Sequence, residues 1–241
     1  MPPPFRVNLG LKPLRRDNPW PEFDYGMIEP FDFSLDGGGR DLVVEVIRAR
    51  NIDLMLEVGS FLCGSALQWL RTSDRLTVIG ADPWEGDWGT FVEYAAHDAL
   101  NGRSKKQWTE QQIATIVRNL YRFGNFCVAL NNVHQYKARF IPVRRRAPEV
   151  FYYLRDRRIY PKLIYIDADK RRDDLDVARE LFPNAVLCGD DWLSPDKTTG
   201  ALGMQQHVKA FAREHNYTIK ASRQTWLLIA PESEPAGGAR R

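Results

Sequence analysis

The sequence predicts an α/β domain on a doubly wound, mostly parallel seven-stranded sheet that ends in an antiparallel C-terminal hairpin. Two observations carry this. Short apolar runs alternate with helix-spaced stretches through residues 41–229, the pattern of strands joined by crossover helices. The last two runs, 217–220 and 225–229, follow each other closely and read as a closing hairpin.

The elements follow in chain order. Residues 1–40 are rich in Pro, Gly and aromatics, as in Pro19-Trp20-Pro21, Pro30-Phe31-Asp32-Phe33 and Gly37-Gly38-Gly39. This reads as an extended N-terminal arm lying on the domain through its aromatics and ending in a glycine hinge. Residues 41–49 have helical spacing, with Leu42, Val43, Val46 and Ile47 on one face. The run 54–58 closes on Gly59 and suits a buried parallel strand. A helix over 65–72 leads to a second strand, 76–81, ending at Asp82. The stretch from Trp84 to about residue 106 is aromatic and loop-like, with Trp88, Phe91, Tyr94 and His97, and reads as core packing or a lid. A long helix is predicted over 109 to about 135. Strands at 139–143, 163–166 and 185–188 alternate with helices at 148–156, 173–181 and 202–215. The domain is placed at 41–231, and residues 232–241 read as a flexible tail.

Composition narrows the function classes. With 241 residues, 44% hydrophobic and 27% charged, the chain is ordinary globular protein and long enough for one α/β domain. No apolar stretch of about 18 residues is present, so no membrane is expected as a partner. The N-terminus lacks a secretory pattern. Cys63, Cys127 and Cys188 are odd in number and widely spaced, which fits reduced thiols in a cytoplasmic protein and no zinc site. A net charge of +3 is too small to argue for nucleic acid. The runs Arg144-Arg145-Arg146 and Arg155-Asp156-Arg157-Arg158 lack interleaved aromatics, so no nucleic-acid partner is expected. The expected partner is a small-molecule substrate; a homo-oligomer is left open.

In a sheet of this kind ligands bind beyond the carboxyl ends of the strands. The first such end reads Leu56-Glu57-Val58-Gly59-Ser60-Phe61-Leu62-Cys63-Gly64-Ser65. Gly59 and Gly64 have phosphate-loop spacing, but Ser65 stands where that loop needs lysine. A dinucleotide loop needs a second glycine where Phe61 stands. What remains is Glu57 two residues before Gly59, whose negative charge suits a cationic ligand and repels a phosphate. The bland alternative is a glycine-containing strand–helix turn with a surface Glu. Asp82 ends the neighbouring strand, where a carboxylate can accept both ribose hydroxyl protons or cap a helix. Asp167 ends a further strand and Asp190-Asp191 the next, so three carboxylates should converge. Raised pKa values or a bound cation must resolve their repulsion, and oxygen ligands favour a hard ion. Capping of the following elements is the alternative.

The Glu-x-Gly turn followed by Ser resembles the first motif of class I S-adenosylmethionine-dependent methyltransferases, small-molecule O-methyltransferases especially. The resemblance covers about residues 54–229 and implies their Rossmann-like fold. It implies that Glu57 holds the methionine ammonium, directly or through water, that Gly59, Ser60 and Gly64 pass under the cofactor, and that Ser65 contacts its carboxylate. Cys63 departs from the pattern, where the family often has glycine. Asp82 matches the ribose motif, with Pro83 fixing the turn and Trp84 packing on ribose or adenine. The Asp after the fourth strand and the Asp-Asp pair after the fifth are similar to those of metal-dependent enzymes of the catechol and macrolide-sugar kinds. By that likeness Asp167, Asp190 and Asp191 bind Mg²⁺ or another hard divalent cation, Asp167 also borders the cofactor and joins the catalysis, and Lys170 stands where catechol-type enzymes have their lysine base. The implied activity is divalent-metal-dependent O-methylation of a small molecule such as a sugar or secondary metabolite. A metal-independent methyltransferase of the same fold and a silent cofactor-binding protein remain alternatives; an NAD-dependent enzyme is disfavoured by Phe61.

Overall fold

A computed structural model of the chain describes residues 11–95, 108–195 and 202–231. Seven strands form one sheet: β1 (Leu54–Val58), β2 (Thr77–Ala81), β3 (Phe140–Val143), β4 (Leu163–Ile166), β5 (Val186–Gly189), β6 (Thr218–Ser222) and β7 (Thr225–Ile229). Their order is β3-β2-β1-β4-β5-β7-β6. The first five are parallel, and β7 runs antiparallel to both β5 and β6. The central strands are buried throughout, so they read as continuous apolar runs rather than as alternation. The sequence places every strand to within two residues, because buried strands of four or five residues have abrupt ends.

Alternating side chains along each strand separate two apolar layers. Met55, Val78, Leu163 and Cys188 pack with α2 (Asp41–Ala49), α3 (Gly64–Thr72) and α5 (Glu110–Asn132). Leu54, Leu56, Val58, Ile164 and Leu187 pack with α6 (Glu149–Asp156), α7 (Arg172–Leu181) and α8 (Gly203–His215). The chain leaves β1 for β2 on one side and later enters β4 on the other, so the strand order reverses between β1 and β4. That switch point is where such a sheet opens a crevice.

Two helices escape the sequence reading. α1 (Leu11–Asp17) is short and carries Pro13, tolerated near a helix start. α4 (Trp88–Ala95) lies in the aromatic stretch read as loop. The predicted long helix is in fact broken at Gly124, whose φ of +76° no helix accommodates. His97 and residues 232–241 lie outside the described residues.

From Arg15 onward the arm is fastened to the domain. Arg15 and Trp20 donate to carbonyls at the start of β3, Ala138 O at 2.7 Å and Phe140 O at 3.3 Å, and so guard the free edge of the sheet. Asn119 pairs with the backbone of Glu29 through its side-chain amide, Oδ1 accepting from Glu29 N at 3.1 Å and Nδ2 donating to Glu29 O at 2.9 Å. Phe33 and Leu35 are buried against α3. Gly37–Gly39, read from sequence as a hinge, is a fixed turn: Gly38 O accepts from Gln224 N and Thr225 Oγ1, each at 3.0 Å.

Candidate cofactor and active site

A cavity of about 380 Å³ opens at the carboxyl ends of β1 to β4, at the switch point. Gly59 and Phe61 follow β1 into it, Asp82, Pro83 and Glu85 follow β2, Arg145 and Arg146 follow β3, and Asp167 and Asp169 follow β4. Trp88 closes one side, its ring 4.6 Å from that of Phe61. Both arginines already face acids, Arg146 with Glu85 at 3.4 Å and Arg145 with Glu149. Four carboxylates against two paired guanidinium groups make a wall that suits a cation and opposes a phosphate. A second hollow, between α8 and Ile219, contains none of the strand-end residues.

Asp82 ties two loops together at this wall. Its Oδ2 accepts from Phe61 N at 3.0 Å and its Oδ1 from Trp84 N at 2.7 Å. Burial raises its pKa, and these two N–H donors and the charge of Arg146 oppose the rise. Each oxygen retains a lone pair for a further donor. Trp84 itself is not on the cavity: its indole donates to Phe61 O at 2.9 Å and packs on Phe126 in the core. The aromatics that reach the cavity are Phe61 and Trp88, the latter at the start of α4.

Glu57 lies in the core behind the loop that follows β1. In register it stands beside Gly80 and Tyr165, and strand alternation turns it toward α2 and α3. It is wholly buried, is not part of the cavity wall, and accepts from Trp69 Nε1 at 2.8 Å. Burial pushes its pKa up; the hydroxyls of Ser65 and Ser60, the Trp69 indole and the charge of Arg40 pull it back. Neither Ser60 nor Ser65 lines the cavity. Gly64 is also spoken for, since a Cβ there would come within 2.8 Å of Phe33 and 2.9 Å of Leu35. Of the expected loop contacts only Gly59 lines the cavity. Its φ is +86°, and a Cβ would stand 1.9 Å from Asp167 O, so the close approach that demands glycine is that of β4's own end. Cys63, the departure from the family pattern, is left-handed at φ +58°, a conformation natural to glycine.

The carboxylates after β4 and β5 converge only in part. Asp190 and Asp167 share one partner, Arg40, whose Nη2 is 2.5 Å from Asp190 Oδ2 and 3.8 Å from Asp167 Oδ2. The Arg40 and Asp190 side chains are fully buried. Burial disfavours the guanidinium charge, yet the surrounding anions outweigh it and raise the Arg40 pKa. Asp191 turns elsewhere, 3.6 Å from Lys170 Nζ. Lys170, expected as a base, faces Asp191 and is not among the residues that line the cavity. A hard divalent ion needs several carboxylate oxygens around one point. Among the described residues no group of three or more His, Cys, Asp or Glu side chains is disposed to hold a metal ion. The expected Asp167–Asp190–Asp191 site does not fit one as it stands. The positive group that meets Asp167 and Asp190 is Arg40, which follows the Gly37–Gly39 stretch.

No protein-family profile and no curated protein sequence matches the chain. Among solved structures it is similar to a provisionally assigned caffeoyl-CoA O-methyltransferase from Staphylococcus aureus, with a TM-score of 0.50 and 15% identity over 94% of this chain and 93% of that one. It is also similar to TomG, an O-methyltransferase of tomaymycin synthesis from Streptomyces achromogenes solved with S-adenosylmethionine (TM-score 0.47, 18% identity, 79% and 78% covered). A third is the O-methyltransferase from Bacillus cereus solved with S-adenosylhomocysteine (TM-score 0.48, 15% identity, 93% and 91% covered). The first likeness runs nearly end to end in both chains and, with the strand order found here, identifies the architecture as the Rossmann-like methyltransferase fold.

Proposed function

We propose that the chain is an S-adenosylmethionine-dependent methyltransferase that acts on a hydroxyl oxygen of a small molecule. One observation carries the reading: the switch-point cavity has Asp82 in its wall among four carboxylates, so it favours a ligand that pairs ribose hydroxyls with positive charge. When bound, S-adenosylmethionine supplies an electrophilic methyl group on a sulfonium. Asp82 would accept from the ribose hydroxyls, and the backbone at Gly59 and Phe61 would floor the site. Phe61 and Trp88 would exclude water on one side. Asp167, which lines the cavity and also meets Arg40, would take a proton from an acceptor hydroxyl. Most of the acceleration would come from holding acceptor and donor in line. The carboxylates after β4 and β5 do not suit a divalent ion as arranged, so the reading runs without one. The likeness to a provisionally assigned caffeoyl-CoA O-methyltransferase supports an oxygen acceptor, and a sugar or secondary metabolite is the class proposed.

Calorimetric titration with S-adenosylhomocysteine tests this. Wild type should bind it and Asp82→Ala should bind at least about tenfold more weakly. A wild type that binds none would sink the proposal.

A further inference from the structure

The strand-end carboxylates meet a guanidinium that the chain supplies from its own N-terminal arm. Arg40 stands at the start of α2, with its side chain fully buried, and Nη1 donates to Gly37 O at 3.3 Å. The turn that carries it is fastened at each residue. Gly37 meets Arg40 itself, and Gly38 O takes two hydrogen bonds from Gln224 and Thr225 at the β6–β7 hairpin. Gly39, at φ +89°, leaves only 1.8 Å between a would-be Cβ and Ser222 O. Such a device positions a charge; a tether would need none of it.

We propose that Arg40 is the resident cation of this rim, taking the place of a divalent metal and holding Asp167 and Asp190 in position, and that the site binds no divalent ion. A guanidinium suits the task because it stays charged and offers five donors in a fixed fork, so one group can face two carboxylates. A divalent ion brought to the same oxygens would lie a few ångströms from a positive charge that cannot leave without opening the buried turn. The third acid, Asp191, is drawn away to Lys170, which leaves each acid of the former trio with a protein cation. Arg40 is thus a positioning residue, acting on the acceptor side through Asp167. The proposal deepens the methyltransferase reading and rests on it for the meaning of this rim.

The test is a titration of the full chain with Mn²⁺, followed by the electron paramagnetic resonance of the free ion, alone and with S-adenosylhomocysteine. Wild type should bind none up to millimolar concentration; micromolar binding overturns the proposal. Calorimetry of S-adenosylhomocysteine on the same samples judges the cofactor reading separately, since the Mn²⁺ result stands whether or not the nucleoside binds. Arg40→Met, where folded by circular dichroism, should gain Mn²⁺ binding that wild type lacks, and a folded variant that gains none counts against the substitution of metal by arginine. Adding Asp190→Asn should recover much of the melting temperature that Arg40→Met loses; no recovery would show that Arg40 is not the counter-ion of Asp190. Arg40→Lys, which keeps the charge, should still exclude Mn²⁺. Should Arg40→Met fail to fold, the wild-type and Arg40→Lys titrations decide the matter.

Discussion

Arg40 and Asp190, 150 positions apart, are joined at 2.5 Å with both side chains sealed from solvent. A buried pair of this kind is worth little against an apolar pair of the same shape, but losing one member strands the other charge. Arg40→Met should therefore cost about 3–5 kcal/mol, well beyond the value of an exposed ion pair. Urea unfolding followed by tryptophan fluorescence measures it. A loss below about 1 kcal/mol would mean that the pair is open to water.

Asp82 joins the loops after β1 and β2 through two backbone N–H groups, so its substitution acts on the loops and on ligand affinity together. Asp82→Asn keeps one acceptor oxygen and should weaken S-adenosylhomocysteine binding about tenfold, whereas Asp82→Ala frees both donors and should cost nearer a hundredfold. Because burial raises this carboxyl's pKa, the wild-type affinity should begin to fall at a higher pH than an ordinary aspartate would give. Titrations at descending pH on wild type and Asp82→Asn check this, since the variant should lack that part of the dependence.

What was legible in the sequence divides by the range of the cause. β1 announces itself through Leu54–Val58 because burial on both faces demands a continuous apolar run, and Gly59 ends it because the backbone turns there. Asp82 was legible as a wall residue because a strand-end acid is set by its position along one strand. Glu57 has a chemistry that suggests a ligand, while its parity along β1 sends it toward Trp69. Trp84 was implied at the ribose and Trp88 as core packing or a lid; the start of α4 is what brings Trp88 to the cavity. Arg40 was illegible as the partner of Asp190, since nothing local to either residue names the other. The acids after β4 and β5 called for raised pKa values or a cation; that Arg40 meets two of them depends on the β6–β7 hairpin that holds Gly38 and Gly39.

Asp174, in the first turn of α7, is buried, and its Oδ1 has no hydrogen-bond partner among the described residues. Burial pushes its pKa up to about 6, against the pull of Arg171 and aided by Asp169 and Asp173. The unfolded chain ionises this group more readily, so its contribution to stability is complete below the ordinary pKa of 3.8 and is lost as pH rises through about 6. Asp174→Asn should accordingly be more stable than wild type at pH 8 by about 1–2 kcal/mol and no more stable near pH 4. Thermal melts at the two values decide it, and an equal gain at both would point to packing instead of ionisation.

Glu57 offers the sharpest contrast between the chemistry its motif suggests and the place it takes. A carboxylate holding a ligand's ammonium would lose most of its worth on conversion to an amide, since the charge is the interaction. A carboxylate that mainly accepts from Trp69 Nε1 inside the core would not, because a glutamine oxygen can accept the same hydrogen bond. Burial already biases Glu57 toward its neutral form, so removing the charge should also relieve a desolvation cost. Glu57→Gln should then retain S-adenosylhomocysteine affinity within about threefold and lose no more than about 1 kcal/mol of stability. Glu57→Ala, which orphans the buried indole N–H, should cost about 1–3 kcal/mol. Calorimetry paired with urea melts on the two variants separates the cases. An affinity loss in Glu57→Gln of a hundredfold, with stability intact, would return this residue to the cofactor and put the loop after β1 in a different position during binding.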